Sequence, residues 1–116
     1  RFVLLGDSTA VPGINSLLDY LPAGASAEVL LHDAHDDADR LPLRLRDGVT
    51  LTLTQTSEEQ LAAVRSLDLD LADTYVWAAG ERKAIAATRE IVRKEWRLPR
   101  DRQHTQYYWI EGKPFG

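Results

Sequence analysis

Residues 6–12 (GDSTAVP) have the composition of a strand-to-helix turn that can receive a ligand. The start of a helix offers unpaired backbone N–H groups and the positive end of the helix dipole. Small side chains let a ligand approach the backbone, and the Thr9 hydroxyl can bond a carboxamide or a ring edge. The segment is not a G-x-G-x-x-G dinucleotide fingerprint. A capped helix start without a ligand therefore fits these residues equally well.

Gly80, Glu81 and Arg82 form a second candidate turn, directly after an apolar run. Without a ligand, Gly80 would allow an unusual backbone angle, and Glu81 would complement the start of the next helix. With a ligand, the same residues would border a pocket at the end of a strand. Both interpretations stay open at this point.

Residues 32–39 (HDAHDDAD) contain two histidines and four aspartates, which are metal-binding side chains. Their spacing does not fit a calcium loop, because no glycine stands at the turn and no glutamate closes it. We predict an acidic surface loop without a metal. Residues 107–109 (YYW) are interpreted either as packing at a strand end or as rings that stack on a planar cofactor.

The chain has no cysteine, which excludes a disulfide and a thiolate metal site. It shows no Ser-His-Asp arrangement and no phosphate-binding P-loop. An electron-transfer enzyme needs neither, because the cofactor carries the chemistry. No apolar run approaches the roughly 18 residues that span a bilayer. We therefore predict a cytoplasmic location, without membrane insertion and without a nucleic-acid partner.

The charge is unevenly distributed. Residues 1–79 carry five Lys/Arg and thirteen Asp/Glu, a balance of −8, whereas residues 80–116 carry nine and five, a balance of +4. The basic C-terminal third would attract an anionic ligand, or its charges simply keep a helix face solvated.

Strands and helices alternate along the chain, and they position the candidate residues. Strands are predicted at residues 1–7, 27–32, 49–54, 74–80 and 106–110. Helices are predicted from Pro12 to Leu21, from a Ser57–Gln60 capping box onward, and over residues 81–97. This order predicts an α/β fold with three layers, a mainly parallel five-stranded sheet covered by helices on both faces, with residues 49–54 near one edge. Ligands of such sheets bind beyond the carboxyl ends of the strands.

Three segments resemble the siderophore-interacting protein family, a branch of the ferredoxin-reductase-like flavoenzymes. Residues 7–14 (DSTAVPGI) are similar to that family's D-E-T-A-L-P-A-I, and residues 75–81 (YVWAAGE) to its Y-V-W-x-A-G-E. Tyr108-Trp109, followed by Gly112, is similar to its closing Y-W-x-x-G. Order and spacing match over nearly the whole chain, which implies the ferredoxin-reductase-like nucleotide-binding domain.

The resemblance implies an enzyme that uses NAD(P)H, through FAD, to reduce a ferric siderophore and release ferrous iron. We expect an N-terminal flavin-binding barrel before Arg1. Lys113 would face the anionic iron chelate, and no residue would be catalytic or bind a metal. The implied cofactor-binding residues are Asp7, Ser8, Thr9, Ala10, Pro12, Gly80, Glu81, Tyr108 and Trp109.

The sequence also departs from the family pattern. Relatives often carry W-x-H-R after the third strand, where residues 51–56 (LTLTQT) have no basic side chain, so NADH and NADPH both stay open as donors. Tyr107 and Ile110 replace a usual glycine and a usual basic residue. Two other functions stay open: a non-catalytic interaction or regulatory module, and a response-regulator-like receiver, for which Asp7 lacks an acidic neighbour.

Overall fold

Five parallel strands form one sheet in the order β3-β2-β1-β4-β5 in the structure, a computed structural model that describes residues 1–32 and 46–110. Every neighbouring pair runs parallel, and β3 lies at one edge, as predicted. The strands are β1 Phe2–Gly6, β2 Ala27–His32, β3 Val49–Thr54, β4 Tyr75–Glu81 and β5 Gln103–Trp109.

Helices cover both faces of this sheet, which confirms the predicted three-layer α/β architecture. They are α1 Val11–Tyr20, α2 Ser57–Arg65 and α3 Arg82–Glu90. A 3-10 turn, Ser8–Ala10, leads into α1, and a π-helical turn, Ile91–Glu95, continues α3. In the part of the chain that the structure describes, no helix is both long and apolar enough to cross a membrane.

The core lies in two layers separated by β1, whose residues Val3, Leu4 and Leu5 are almost wholly buried. Leu4 faces α1 and belongs to the same buried cluster as Ile14 of that helix. Val3 and Leu5 face α2 and α3 on the other side. A strand covered on both faces buries every side chain, which explains why β1 reads as a continuous apolar run instead of alternating.

The start of α2 differs from the prediction by one residue. Thr56, not Ser57, caps the helix, and its hydroxyl accepts a hydrogen bond from the Glu59 backbone N–H at 3.1 Å. The pattern T-x-x-E at residues 56–59 is itself a capping-box signature. The predicted role of Gln60 in the cap is therefore wrong, because its side chain is buried and points to the sheet.

The end of α3 also differs from the prediction of one helix to Arg97. The Trp96 N–H bonds to the Ile91 carbonyl at 2.8 Å, which is the wider π-helical spacing. Arg97 then adopts a φ of 53°, the left-handed conformation that commonly ends helices. The last strand begins at Gln103, three residues before the predicted start, because an edge strand tolerates polar side chains on its exposed positions.

The path of the chain places a topological switch beside β1. The chain moves from β1 to β2 and β3 on one side, and α2 then carries it across to β4 on the other side. In open α/β sheets the crevice at such a switch, outside the carboxyl ends of the strands, is where ligands bind. Here that crevice lies between the ends of β1 and β4.

Candidate functional site

Asp7 joins the two sides of this crevice. One oxygen, Oδ1, accepts hydrogen bonds from the Thr9 backbone N–H at 2.9 Å and from the Thr9 hydroxyl. The other oxygen, Oδ2, accepts from the Glu81 N–H at 3.1 Å. Only 2% of Asp7 is exposed. A buried carboxylate with these bonds fixes the end of β1 against the end of β4.

Glu81 uses its carboxylate to begin α3. Its two oxygens accept from the backbone N–H groups of Lys83 at 2.9 Å and of Ala84 at 3.1 Å. These donors would otherwise be unpaired, and the negative charge is favourable at a helix start. Glu81 therefore has a structural role here, as expected for the interpretation without a ligand, and it is 8% exposed.

Two glycines are required where β1 and β4 end. A Cβ on Gly6 would lie 2.5 Å from the Ala10 Cβ and 2.6 Å from the Ala79 carbonyl oxygen. A Cβ on Gly80 would lie 2.8 Å from Asp7 Oδ2, and Gly80 has a φ of 152°. All three separations are shorter than real Cβ contacts. The expected need for glycine at residue 80 therefore has two causes, its backbone angle and the nearby carboxylate.

The turn before α1 presents some of its predicted site residues and buries another. Ser8, Thr9 and Pro12 are exposed at the carboxyl edge of the sheet. Ala10 is fully buried, packs on Gly6, and donates its N–H to the Asp7 carbonyl at 3.0 Å. A ligand would therefore contact the exposed residues of this turn, while Ala10 supports them from below.

Tyr108 lies beside α1. Its ring meets Trp77 edge-on, with centroids 6.5 Å apart, and a Cβ on Gly13 would be 3.0 Å from Trp77 and 3.3 Å from the Tyr108 hydroxyl. The backbone of Trp109 pairs with Glu81 across an irregularity in β4. Lys113 lies outside the described residues.

A hollow of about 320 Å³ opens next to Glu81, where α3 begins. It is lined by Glu81, Arg82, Lys83, Ala86 and Ile110. Its volume is at the lower end of ligand-binding clefts. The Glu81 carboxylate is bonded to backbone amides, and the exposed side chains of Arg82 and Lys83 place two positive charges beside this hollow.

The predicted acidic loop cannot be placed, since residues 33–39 lie outside the described residues. His32, the last residue of β2, is buried. Within residues 1–32 and 46–110, no three metal-binding side chains of the His, Cys, Asp or Glu type are gathered in one place.

Two residues that sequence reasoning missed hold the crevice in shape. Gln60 donates from Nε2 to the carbonyls of Gly6 at 3.0 Å and Leu30 at 2.8 Å, and so ties α2 to β1 and β2. Trp77 supports the α1 side through Gly13 and Tyr108. Trp77 was named within YVWAAGE and Gln60 within the predicted capping box, but neither pattern indicated these contacts.

An all-parallel sheet with helices on both faces and a glycine-requiring crevice at its switch point defines an open α/β domain, a class whose members bind ligands at that crevice. Residues 1–112 match the model of the family described as Siderophore-interacting protein. The chain belongs to this family, and its fold is the one expected for the family's C-terminal NAD(P)-binding domain, so the predicted resemblance is confirmed.

Three proteins are examples of what the chain is similar to. The crystal structure of the siderophore-interacting protein SipS from Aeromonas hydrophila superposes with a TM-score of 0.79 at 30% identity, over 97% of this chain and 47% of that one. The mycobactin import ATP-binding/permease protein IrtA of Mycobacterium tuberculosis is 31% identical over 99% of this chain and 13% of its own length. The ferric vibriobactin reductase ViuB of Vibrio cholerae is 25% identical over 96% of this chain and 43% of its own length. The chain thus spans less than half the length of each of these three relatives.

Proposed function

We propose that this chain is the NAD(P)H-binding module of a ferric-siderophore reductase that contains FAD. The family match and the similarity to a protein named ferric vibriobactin reductase support the reaction class. The crevice between β1 and β4 supports nucleotide binding as the role of this module in the reaction, because the exposed turn before α1 lies where α/β sheets bind nucleotides.

The observation that carries the proposal is the state of the Thr9 hydroxyl. Its proton is donated to Asp7 Oδ1, since a carboxylate can only accept. The Thr9 oxygen therefore keeps its lone pairs for a donor that arrives from solvent. The carboxamide NH₂ of nicotinamide is a donor of this kind, so Asp7 would orient Thr9 as an acceptor for the nicotinamide end of the nucleotide.

The residues present fit a bound nucleotide in two further respects. Ser8 and Pro12 are exposed beside Thr9, so the ring can approach the turn. Gly80 has no side chain that would enter the crevice. When bound, the cofactors would supply the redox chemistry, in which the two electrons of NAD(P)H would reduce two Fe(III) ions through FAD and leave NAD(P)⁺, two Fe(II) and one proton.

The chain's own residues would bind and orient, and none would transfer a proton. In this proposal Gly80 and Glu81 shape the nicotinamide pocket, and Tyr108 and Trp109 approach the flavin. Lys113 would attract the anionic ferric siderophore. The flavin-binding barrel would be a second domain of the same protein, in the cytoplasm.

The test uses the protein that joins this chain to a flavin-binding barrel. Its flavin content is read from the absorption spectrum, and Fe(II) is trapped with a chromogenic chelator while NADH or NADPH is varied. Thr9→Val should raise KM for the nucleotide about 3- to 10-fold, the value of one lost hydrogen bond. Thr9→Ser, which keeps the hydroxyl, should stay near the unsubstituted protein.

Ser16→Ala is the matched control, since Ser16 is an exposed hydroxyl of α1 that bonds only to the Pro12 carbonyl at 3.2 Å among the described contacts. It should leave KM unchanged. A protein that binds no flavin, or that consumes no nucleotide when ferric siderophore is added, would overturn the reductase and favour a non-catalytic module. A Thr9→Val variant with an unchanged KM would overturn only the assignment of Thr9.

A further inference from the structure

The outer side of α3 carries a second basic hollow, near the start of β5. Three arginines contribute to it, one from α3, one from the π-helical turn and one from the 3-10 turn Arg100–Arg102. Its volume is about 330 Å³. Its lining residues, which we call the arginine hollow, are Arg89, Arg93, Arg100, Gln103, His104 and Thr105.

The positive charge of the arginine hollow is not neutralised by the described part of the chain. Two acidic residues on the same stretch of chain are paired elsewhere: Glu90 pairs with Lys94 at 3.1 Å, and Glu95 pairs with Arg65 at 2.9 Å. Asp101, next to Arg100 in the chain, is exposed. No described carboxylate pairs with any of the hollow's three arginines. Three guanidinium groups around one cavity repel one another, and an anion between them would relieve that repulsion.

Arg89 is held in place before any ligand arrives. Its Nε donates to the Thr105 hydroxyl at 2.8 Å, and its Nη1 donates to the Tyr107 hydroxyl at 3.0 Å. The guanidinium also lies 4.9 Å from the centre of the Tyr107 ring, in cation–π range. Two of its five N–H donors are used in this way, and three remain for a ligand. An arginine fixed by β5 loses little conformational freedom when it binds.

The chemistry of the arginine hollow selects the class of ligand. A guanidinium binds the oxygens of phosphate and carboxylate groups with two parallel hydrogen bonds. Three positive charges match a doubly charged phosphate group better than a singly charged carboxylate. The volume admits a small ligand, not a long chain.

The arginine hollow is separate from the crevice proposed to receive nicotinamide. Gln103, His104 and Thr105 are the first residues of β5, whereas Trp109 at its other end pairs with Glu81. His104 and Trp109 are five positions apart along the strand, about 16 Å at the usual rise of a β-strand. The hollow therefore does not contact the turn that contains Thr9.

We propose that the arginine hollow is a binding site for a phosphate group. The group could belong to a free phosphate compound that acts on the protein as an effector, or it could be the 2′-phosphate of NADPH. The inference does not depend on the proposed reductase, because it is read from charge, contacts and cavity shape alone.

The test measures binding of inorganic pyrophosphate to the protein by isothermal titration calorimetry at low salt. Saturable binding is expected, weakening as salt is added. Arg93→Gln and Arg100→Gln should each weaken it about tenfold or more, as for loss of a charge-assisted hydrogen bond. Neither exposed side chain has a described hydrogen bond to the rest of the chain, so both variants should unfold at the same temperature as the unsubstituted protein without pyrophosphate.

Arg97→Gln is the matched control, because it removes the same charge from the same region without lining the hollow. It should change the pyrophosphate affinity less than twofold. No saturable binding by the unsubstituted protein at millimolar pyrophosphate would overturn the proposal. An equal loss of affinity in Arg97→Gln and Arg93→Gln would also overturn it, since net charge alone would then explain binding.

Competition with nucleotides separates the two sources of phosphate. If the hollow receives the 2′-phosphate, NADPH displaces pyrophosphate, NADH does not, and Arg93→Gln weakens only NADPH binding. If it receives a free effector, pyrophosphate binds with the same affinity when NADPH is saturating. Either pattern supports a phosphate site, and the two are distinguished without any measurement of iron reduction.

Discussion

Replacing Gly80 with alanine tests whether the crevice depends on the Asp7 carboxylate. Two costs are expected from the structure. The first is the backbone conformation at a φ of 152°, which costs an L-residue about 1–3 kcal/mol. The second is steric: the new Cβ would lie 2.8 Å from Asp7 Oδ2, so the carboxylate must move away from the Glu81 N–H. Loss of a buried hydrogen bond to a charged acceptor costs about 1.5–3 kcal/mol.

We therefore expect Gly80→Ala to lower the free energy of unfolding by about 3–5 kcal/mol, a large share of the roughly 5–15 kcal/mol of a typical domain. Urea unfolding followed by tryptophan fluorescence measures it. With a slope of about 2 kcal/mol per molar urea, the midpoint should fall by about 1.5–2.5 M.

Gly24→Ala is the matched control, since Gly24 also has a positive φ, 86°, but has open space around it. Its cost should be only that of the backbone, about 1–2 kcal/mol. In an Asp7→Ala background, Gly80→Ala should cost about 2 kcal/mol less than alone, because the oxygen in its way is gone. Equal costs for the two glycine substitutions, or no coupling to Asp7, would refute the reasoning.

Three further substitutions test other features of the fold. Gln60→Met removes two buried hydrogen bonds to carbonyls of β1 and β2, and should lower the free energy of unfolding by about 2 kcal/mol in urea titrations; a loss below about 0.5 kcal/mol would contradict this role. Arg97→Gly should stabilise the protein by about 1 kcal/mol, because glycine adopts the left-handed conformation without strain. Differential scanning calorimetry should show a melting temperature higher by a few degrees, and a decrease would count against it. The Arg65 guanidinium is hydrogen-bonded to Glu95 and lowers the pKa of that carboxyl. The pair therefore stabilises the fold above the ordinary glutamate pKa, and this stabilisation is lost as the pH falls through the lowered pKa. The stability difference between the protein and its Arg65→Met variant should therefore shrink between about pH 7 and about pH 2.5, and a constant difference would exclude the ion pair as its source.

The fold could be predicted from the sequence because local patterns and global architecture agree. The apolar run at residues 2–6, with Gly6 at its end, is typical of a strand that is buried on both faces. The proline at residue 12 and the glycine at residue 80 mark helix starts. The order of strands and helices then leaves few right-handed arrangements, and the parallel sheet follows.

The sequence predicts where the site lies but not the contacts that form it. The sequence places Asp7 and Glu81 after two different strands, but which strands are neighbours is decided by the crossover of α2. The bond between Asp7 and the Glu81 N–H joins residues 74 positions apart, and no local pattern contains it. The arginine hollow was missed for a related reason. Arg89 and Arg93 share a helix face because they are four positions apart, but they line a hollow only together with Arg100 and the first residues of β5, which no local pattern places beside them.

The central position of β1 has a consequence for how the chain folds. Its pairing with β2 joins residues about 25 apart, whereas its pairing with β4 joins Phe2 to Tyr75. Contacts this distant in sequence are slow to form, because the entropy of closing the intervening loop is lost before the contacts stabilise it. The crevice is complete only once β1 has paired with β4. A ligand that binds there therefore recognises the folded state and not a chain in which β1 has paired with β2 alone, and it stabilises that folded state by mass action.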